Sequence, residues 1–130
     1  MSTTMTIEGN LTKDPEARYT PAGKPVVKFG VADNRSWTKD GQAHEQTHFF
    51  DVEVWGTLAE NVVTSLHKGD RVLATGHLKQ ATWEADDGTR RSKVTLVASS
   101  IGPCLRWASV EGITRNGGGS APAPEEDEPF

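Results

Sequence analysis

The sequence has few of the features that mark secreted or membrane proteins. Cys104 is the only cysteine, so an internal disulfide is excluded, and this usage is typical of a reducing compartment. No apolar run approaches the roughly 18–20 residues of a membrane span, and the first residues lack the charged and apolar regions of a signal peptide. These absences predict a soluble cytoplasmic protein.

The chain also lacks an excess of positive charge. Its net charge is −4, from 14 basic and 18 acidic side chains. Since four of the 18 acids lie in the last six residues, the rest of the chain carries 14 charges of each sign. A neutral body argues against a generally basic coat for DNA, although it allows a basic groove on a mixed surface.

Catalytic and metal-binding patterns are missing as well. His44 and His48 are four residues apart, which is about 13 Å in an extended chain and too far to share a metal. His67 and His77 have no candidate ligands beside them in the sequence, and there is no glycine-rich motif of the Walker type. We therefore expect a protein that is not an enzyme and that uses no metal or cofactor.

The composition and the alternation of apolar residues predict one small all-β domain. Only 35% of the 130 residues are hydrophobic, and 13 glycines with 7 prolines favour strands and turns. The alternation predicts three strands, one short helix and two further strands. This is the order of the OB-fold, a five-stranded β-barrel with one helix that binds oligomers. Long β-hairpins would join its strands.

Turn residues set the expected strand boundaries. Asp40-Gly41 and Asp87-Gly88 predict two hairpins, and a two-residue turn in the second would place Trp83 opposite Ser92. Gly30, in the middle of the second predicted strand, suits a bulge or a sharp coil of the strand, as a small curled barrel needs.

One helix is predicted after the third strand. Thr57 and Glu60 form the pattern of a capping box, in which Thr57 is the N-cap. Apolar residues follow at helical spacing, and Gly69 is placed to end the helix in a left-handed conformation.

The stretch from His48 to Gly56 has two unlike faces. Read with the period of a strand, its even-numbered residues from 50 to 54 are apolar and belong to the core. The opposite face combines two acids with two large rings, Phe49 and Trp55. Rings of this size on an outer face favour a partner that covers them, although a loop or another subunit would also serve.

Further aromatic and basic residues lie on the two hairpins. Every nucleotide has a flat π-face and a phosphate, so rings beside cations suit an unpaired nucleic-acid strand, and each base–ring contact contributes roughly 1–3 kcal/mol. Because any base can stack, we expect little sequence preference. The predicted stacking residues are Trp37, Phe49, Trp55 and Trp83, and the predicted phosphate-binding residues are Arg35, Lys39, Lys79, Arg90, Arg91 and Lys93. Trp107 is predicted to be an arm or interface contact instead.

The C-terminal residues predict a disordered tail that binds another protein. Residues 116–124 form a Gly/Pro linker that reaches at most about 35 Å, with a root-mean-square span of roughly 17 Å. Residues 125–130 form an acidic tip that ends in a ring and a carboxylate, which suit a pocket with a basic rim. The predicted partner-binding residues are Asp127, Glu128, Pro129 and Phe130.

Several motifs together resemble the family of bacterial single-stranded DNA-binding proteins. The match runs from about residue 4 to residue 115 and resumes at the acidic Pro-Phe tip. It is carried by Gly9-Asn10-Leu11, Asp14-Pro15-Glu16-Ala17-Arg18-Tyr19, Glu45-Gln46-Thr47, Leu58-Ala59-Glu60-Asn61, Lys68-Gly69-Asp70 and Gly76-His77-Leu78. The segment from Ile101 to Trp107 resembles the actinobacterial branch, in which the next residues form a strand that clamps paired subunits.

The resemblance implies an OB-fold domain over residues 1–115, with residues 105–115 as the clamp strand, and a homotetramer that wraps single-stranded DNA. It aligns the four predicted stacking residues with the base-stacking aromatics of the family. It also implies that the tip recruits replication, recombination and repair enzymes. Two acids depart from the family pattern, since Asp51 stands where many members are basic and Glu53 where many are apolar.

We therefore expect a nucleoid-associated protein that binds and protects single-stranded DNA without sequence preference. One alternative is an adaptor or primosome-like OB module whose main ligand is a protein. Another is an RNA-binding OB domain of the cold-shock type. The outward aromatic residues favour the first reading over the adaptor, and a comparison of DNA with RNA oligomers discriminates it from the RNA-binding alternative.

Overall fold

The computed structural model describes residues 3–116 of the chain. Its elements are β1 (Thr4–Leu11), β2 (Ala17–Tyr19), β3 (Pro25–Lys39), β4 (Gln42–Trp55), α1 (Gly56–Ser65), β5 (Arg71–Glu84) and β6 (Arg90–Pro103). The short β2 is an addition to the predicted order. No helix in the described part is long and apolar enough to cross a membrane. Residues 117–124 of the predicted linker and the tip at 125–130 lie outside the described residues.

Five of the strands close into a barrel. β1 pairs antiparallel with β5, β5 with β6, and β3 with β4. A parallel pairing of residues 51–53 with residues 95–97 joins β4 to β6. The ring closes where Asn10 and Leu11 of β1 pair with β3. This strand order and the single helix confirm the predicted five-stranded OB-fold.

Alternate residues of the strands fill the interior of the barrel. Val52 and Val54 of β4 are at most 1% exposed, as their alternation predicts. Ala59 and Val62 of α1 join the same core. Burying a valine side chain contributes about 1.5–3 kcal/mol, so the core decides which face of each strand remains outside.

The first hairpin has the predicted turn. β3 and β4 stay paired out to Lys39 and Gln42, well beyond the barrel. Asp40 and Gly41 between them have φ angles of 53° and 77°. Positive φ at both positions is the type I′ turn that Asp-Gly favours.

The second hairpin differs from its prediction by one residue. The Ala85 N–H donates to the Thr89 carbonyl at 2.8 Å, and the Gly88 N–H donates to the Ala85 carbonyl at 2.9 Å. This loop is longer than a two-residue turn, so the register shifts and Trp83 lies opposite Arg91 rather than Ser92.

Both predicted ends of the helix are wrong. α1 begins at Gly56, which has a φ of +70° and follows β4 directly, and no side chain caps it, so Thr57 is not the N-cap. The helix ends at Ser65, because Leu66 takes an extended conformation and enters the core. Gly69 has the expected positive φ of +92° but belongs to the turn that follows.

Gly76 allows β5 and β6 to approach closely at an irregular point of their pairing. The pairing of β5 with β6 shifts between Thr75 and Gly76, and a Cβ at Gly76 would lie 2.0 Å from the Val97 carbonyl oxygen. The bulge predicted at Gly30 is wrong, because that residue keeps regular pairing with β4. Its missing side chain instead makes room for Thr12, whose Oγ1 would lie 2.8 Å from a Cβ.

Residues 104–116, the described part of the chain after β6, form no strand in the single chain. The Trp107 ring lies 5.1 Å from the Arg71 guanidinium and 4.7 Å from that of Arg106. The Asn116 side chain donates a hydrogen bond of 2.9 Å to Asn61 of α1. The clamp strand implied over residues 105–115 would require a second subunit, and it stays a prediction.

We predict that Gly76→Ala destabilises the fold while Gly102→Ala does not. The added methyl group at position 76 meets the backbone of β6, whereas a Cβ at Gly102 meets no atom within 4 Å. Overpacking of this kind costs typically about 1–3 kcal/mol of unfolding free energy. Urea unfolding at one protein concentration measures both variants, and an equal stability of the two would contradict the close approach at Gly76.

Candidate nucleic-acid interface

Three of the four predicted stacking residues lie on one face of the sheet. The strand pairing puts Asp51 of β4 and Lys79 of β5 in one row across β6, outside the barrel. Phe49 and Trp55 share that side of β4, and Trp83 shares that side of β5, because residues an even number apart point the same way. Their exposed fractions are 72%, 36% and 47%, respectively.

We call this surface the outer aromatic face. Its defining residues are Phe49, Trp55, Lys79, Trp83, Arg91 and Lys93. On β6, Arg91 lies opposite Trp83 and Lys93 lies opposite Ala81, which stands between Trp83 and Lys79 on β5. The face therefore combines rings and cations on three neighbouring strands.

Trp37 lies on the other side of the first hairpin, together with Arg35 and Lys39. Odd-numbered residues of β3 point to the side of the core, which is opposite to the outer aromatic face. The Trp37 ring stacks on His44, with centroids 5.5 Å apart and planes 15° apart. It lines a cleft of about 840 Å³ that Trp107 also borders. The structure therefore does not bring Trp37 together with the other three rings.

Most of the predicted phosphate-binding cations already have an acidic partner. The pairs are Lys79–Glu53 at 2.9 Å, Arg35–Asp33 at 3.2 Å, Arg91–Asp87 at 3.7 Å and Lys93–Asp51 at 3.8 Å. Lys39 and Arg90 form no ion pair within residues 3–116. Ion pairs between exposed groups contribute about 0–1 kcal/mol, so a phosphate can replace the acid at small cost.

Glu53 differs from the other acids because it is buried. It is 3% exposed, and it is the one buried charged residue in the described part of the chain. Its Oε2 accepts a hydrogen bond of 2.5 Å from the Trp55 indole N–H, and both of its oxygens lie 2.9 Å from Lys79 Nζ. Burial alone would raise the pKa of Glu53, but Trp55 and Lys79, with the charge of Lys28, hold it below its usual 4.5.

Two contacts of Trp55, with Glu53 and with Lys24, were not predicted from the sequence. Alternation places Glu53 on the outer side correctly, but it does not show that Trp55 and Lys79 cover the carboxylate. Lys24 Nζ lies 5.8 Å from the Trp55 ring centroid, within the range of a cation–π contact. Val26, two residues after Lys24, pairs with Trp55, and this pairing brings Lys24 close to the ring. The contact could be predicted only once the register of β3 and β4 was known.

No group of three or more His, Cys, Asp or Glu residues in the described range is arranged to hold a metal ion.

A closed five-stranded barrel with one helix and an outer face of exposed rings and cations defines an OB-fold protein of the oligomer-binding kind. Comparison with known families identifies it further. Residues 2–104 match the single-strand binding protein family, and the chain belongs to this family.

Similar proteins support this assignment. A protein of Paenarthrobacter nicotinovorans named single-stranded DNA-binding protein is 46% identical over 111 residues, covering 82% of this chain and 65% of that protein. Relatives with the same name are 38% identical in Paenarthrobacter aurescens and 42% identical in Mycobacterium bovis, over 98% and 95% of this chain and 85% and 80% of theirs. The predicted resemblance to the actinobacterial branch is confirmed. These names describe binding, in agreement with a protein that is not an enzyme.

We predict that Glu53 stabilises the fold only above its folded pKa. Because the contacts with Trp55 and Lys79 lower that pKa, the stabilisation is complete above the usual value of 4.5 and is lost as the pH falls through the folded pKa. The difference in unfolding free energy between the wild type and Glu53→Gln should therefore be constant above pH 4.5 and shrink as the pH falls below it.

Denaturant unfolding across this pH range measures that difference. The exposed Glu45 lies on the same strand, so Glu45→Gln controls for the loss of one negative charge. A difference that is independent of pH, or one that grows as the pH falls, would contradict the ion pair.

Proposed function

We propose that this protein binds single-stranded DNA with little sequence preference and protects it during replication, recombination and repair. The outer aromatic face is the observation that carries the proposal. Three rings that are 36–72% exposed stand on one side of neighbouring strands, beside cations. An unpaired strand offers free base faces to such rings, whereas the bases of a duplex are already stacked on each other.

Stacking supplies most of the proposed affinity. Each base–ring contact contributes roughly 1–3 kcal/mol, so three platforms account for several kcal/mol without any recognition of base edges. Trp37 adds a fourth platform only to a strand that passes around the first hairpin. Phosphate contacts by Arg91 and Lys93 add less, because each must first exchange an acidic partner for the phosphate.

The choice of single-stranded DNA as the ligand rests on the names of the relatives, which describe single-stranded DNA binding. We propose, from the family resemblance, a homotetramer at the nucleoid, with residues 105–115 as a clamp between subunits. Recruitment of partner enzymes by Asp127, Glu128, Pro129 and Phe130 stays a prediction, because these residues lie outside the described range.

We predict that oligo-dT quenches the intrinsic tryptophan fluorescence in a saturable way, while a blunt duplex of equal length does not. The salt dependence of the affinity should be modest, because stacking releases no counterions. Phe49→Ala should weaken binding by roughly 5- to 150-fold, the equivalent of about 1–3 kcal/mol. Leu73→Ala is the matched control, because this exposed residue lies at the opposite end of β5 from Trp83 and is not among the defining residues of the face.

Equal quenching by duplex, or none by oligo-dT, would refute the proposal and favour an adaptor whose main ligand is a protein. Tighter binding of oligo-U than of oligo-dT would instead favour the RNA-binding alternative.

A further inference from the structure

We propose that Glu53 is a positioning residue of the outer aromatic face, which fixes the ring of Trp55 and withholds the charge of Lys79 from DNA. This inference rests on the proposed function, because it concerns how the same face meets a single strand. It also changes the role expected of Lys79, from a phosphate contact to the partner of a buried acid.

The position of Trp55 is set at two points. Its indole N–H is bound to Glu53 Oε2 at 2.5 Å, and the ammonium group of Lys24 lies 5.8 Å from the ring centroid. A ring that is already fixed loses little rotamer freedom when a base stacks on it, so more of the stacking energy appears as affinity. Phe49, which is 72% exposed, has no comparable hydrogen-bonding group.

The pair of Glu53 and Lys79 is unlike the other pairs on this face. In the pairs Lys93–Asp51 and Arg91–Asp87, every side chain is more than half exposed, and either partner can return to water. The side chain of Glu53 is 5% exposed, while that of Lys79 is 50% exposed. If Lys79 moved to a phosphate, a buried carboxylate would lose its cation, which is strongly unfavourable. Lys79 therefore stays with Glu53 when DNA is present.

Other charged groups lie near Glu53 without forming an ion pair with it in the described residues. Lys28 lies opposite Glu53 on β3, and His77 lies opposite Val97, the β6 neighbour of Glu53. Asp51 stands two residues before Glu53 on β4 and pairs with Lys93. Within residues 3–116, only Lys79 forms an ion pair with Glu53.

Glu53→Gln tests this inference, because it keeps an oxygen for the Trp55 N–H but removes the charge that holds Lys79. The released Lys79 should gain one phosphate contact. The slope of log K for oligo-dT against log salt, measured between about 50 and 200 mM salt, should then steepen by about 0.7. Adding Lys79→Gln should abolish the steepening, and Glu45→Gln alone should not produce it.

The single variant Lys79→Gln gives an independent answer in a protein that keeps Glu53. We expect its salt slope to equal that of the wild type, whereas a Lys79 that binds phosphate would make the slope shallower by about 0.7. A shallower slope in this variant, an unchanged slope in Glu53→Gln, or a steepening that survives the loss of Lys79 would each overturn the inference.

A spectroscopic readout tests the positioning of Trp55. In a protein whose other tryptophans are replaced by phenylalanine, Glu53→Gln should preserve the emission maximum of Trp55, and Glu53→Leu should shift it. An equal shift in both variants would show that the hydrogen bond does not hold the ring. Failure of the wild type to prefer oligo-dT over duplex would refute the proposed function, whereas normal preference with unchanged slopes would refute only the role of Glu53.

Discussion

The alternation of side chains along β4, locked by closure of the barrel, is the constraint on which the rest of the structure depends. Val52 and Val54 are buried in the core, so Phe49, Glu53 and Trp55 can only lie on the outside. A slip of one residue in the pairing would bury the rings and expose the valines, at a cost of several kcal/mol. The residues that stabilise the barrel therefore also determine the composition of the outer aromatic face.

The outer aromatic face explains how a protein without an excess of positive charge can bind a polyanionic ligand. A strand of DNA can be attracted by unpaired cations or by rings, and here Lys79, Arg91 and Lys93 are each paired with an acid. The exposed pairs exchange their acid for a phosphate at small cost, while the buried acid Glu53 keeps its partner. Under the proposed function, stacking therefore supplies most of the affinity and charge a smaller share.

Features with a local cause could be predicted from the sequence, and features that depend on distant strands could not. Strand order, both hairpins and the outward direction of Phe49 follow from alternation and from Asp-Gly turns. The register at Trp83 was wrong because the same dipeptide also occurs in a longer loop. The capping box at Thr57 was wrong because β4 runs directly into the helix. The burial of Glu53 depends on Lys79 of another strand, and the sequence contains no local signal for it.

The most direct test of stacking on the outer aromatic face is to map where a single strand contacts the protein. An oligo-dT in which single thymines are replaced by photoreactive bromodeoxyuridine is cross-linked to the full chain, and the attached residues are identified by mass spectrometry. If bases stack on the outer aromatic face, cross-links concentrate on Phe49, Trp55 and Trp83. Cross-links that fall mainly in the cleft between Trp37 and Trp107, with few on the outer aromatic face, would contradict this stacking.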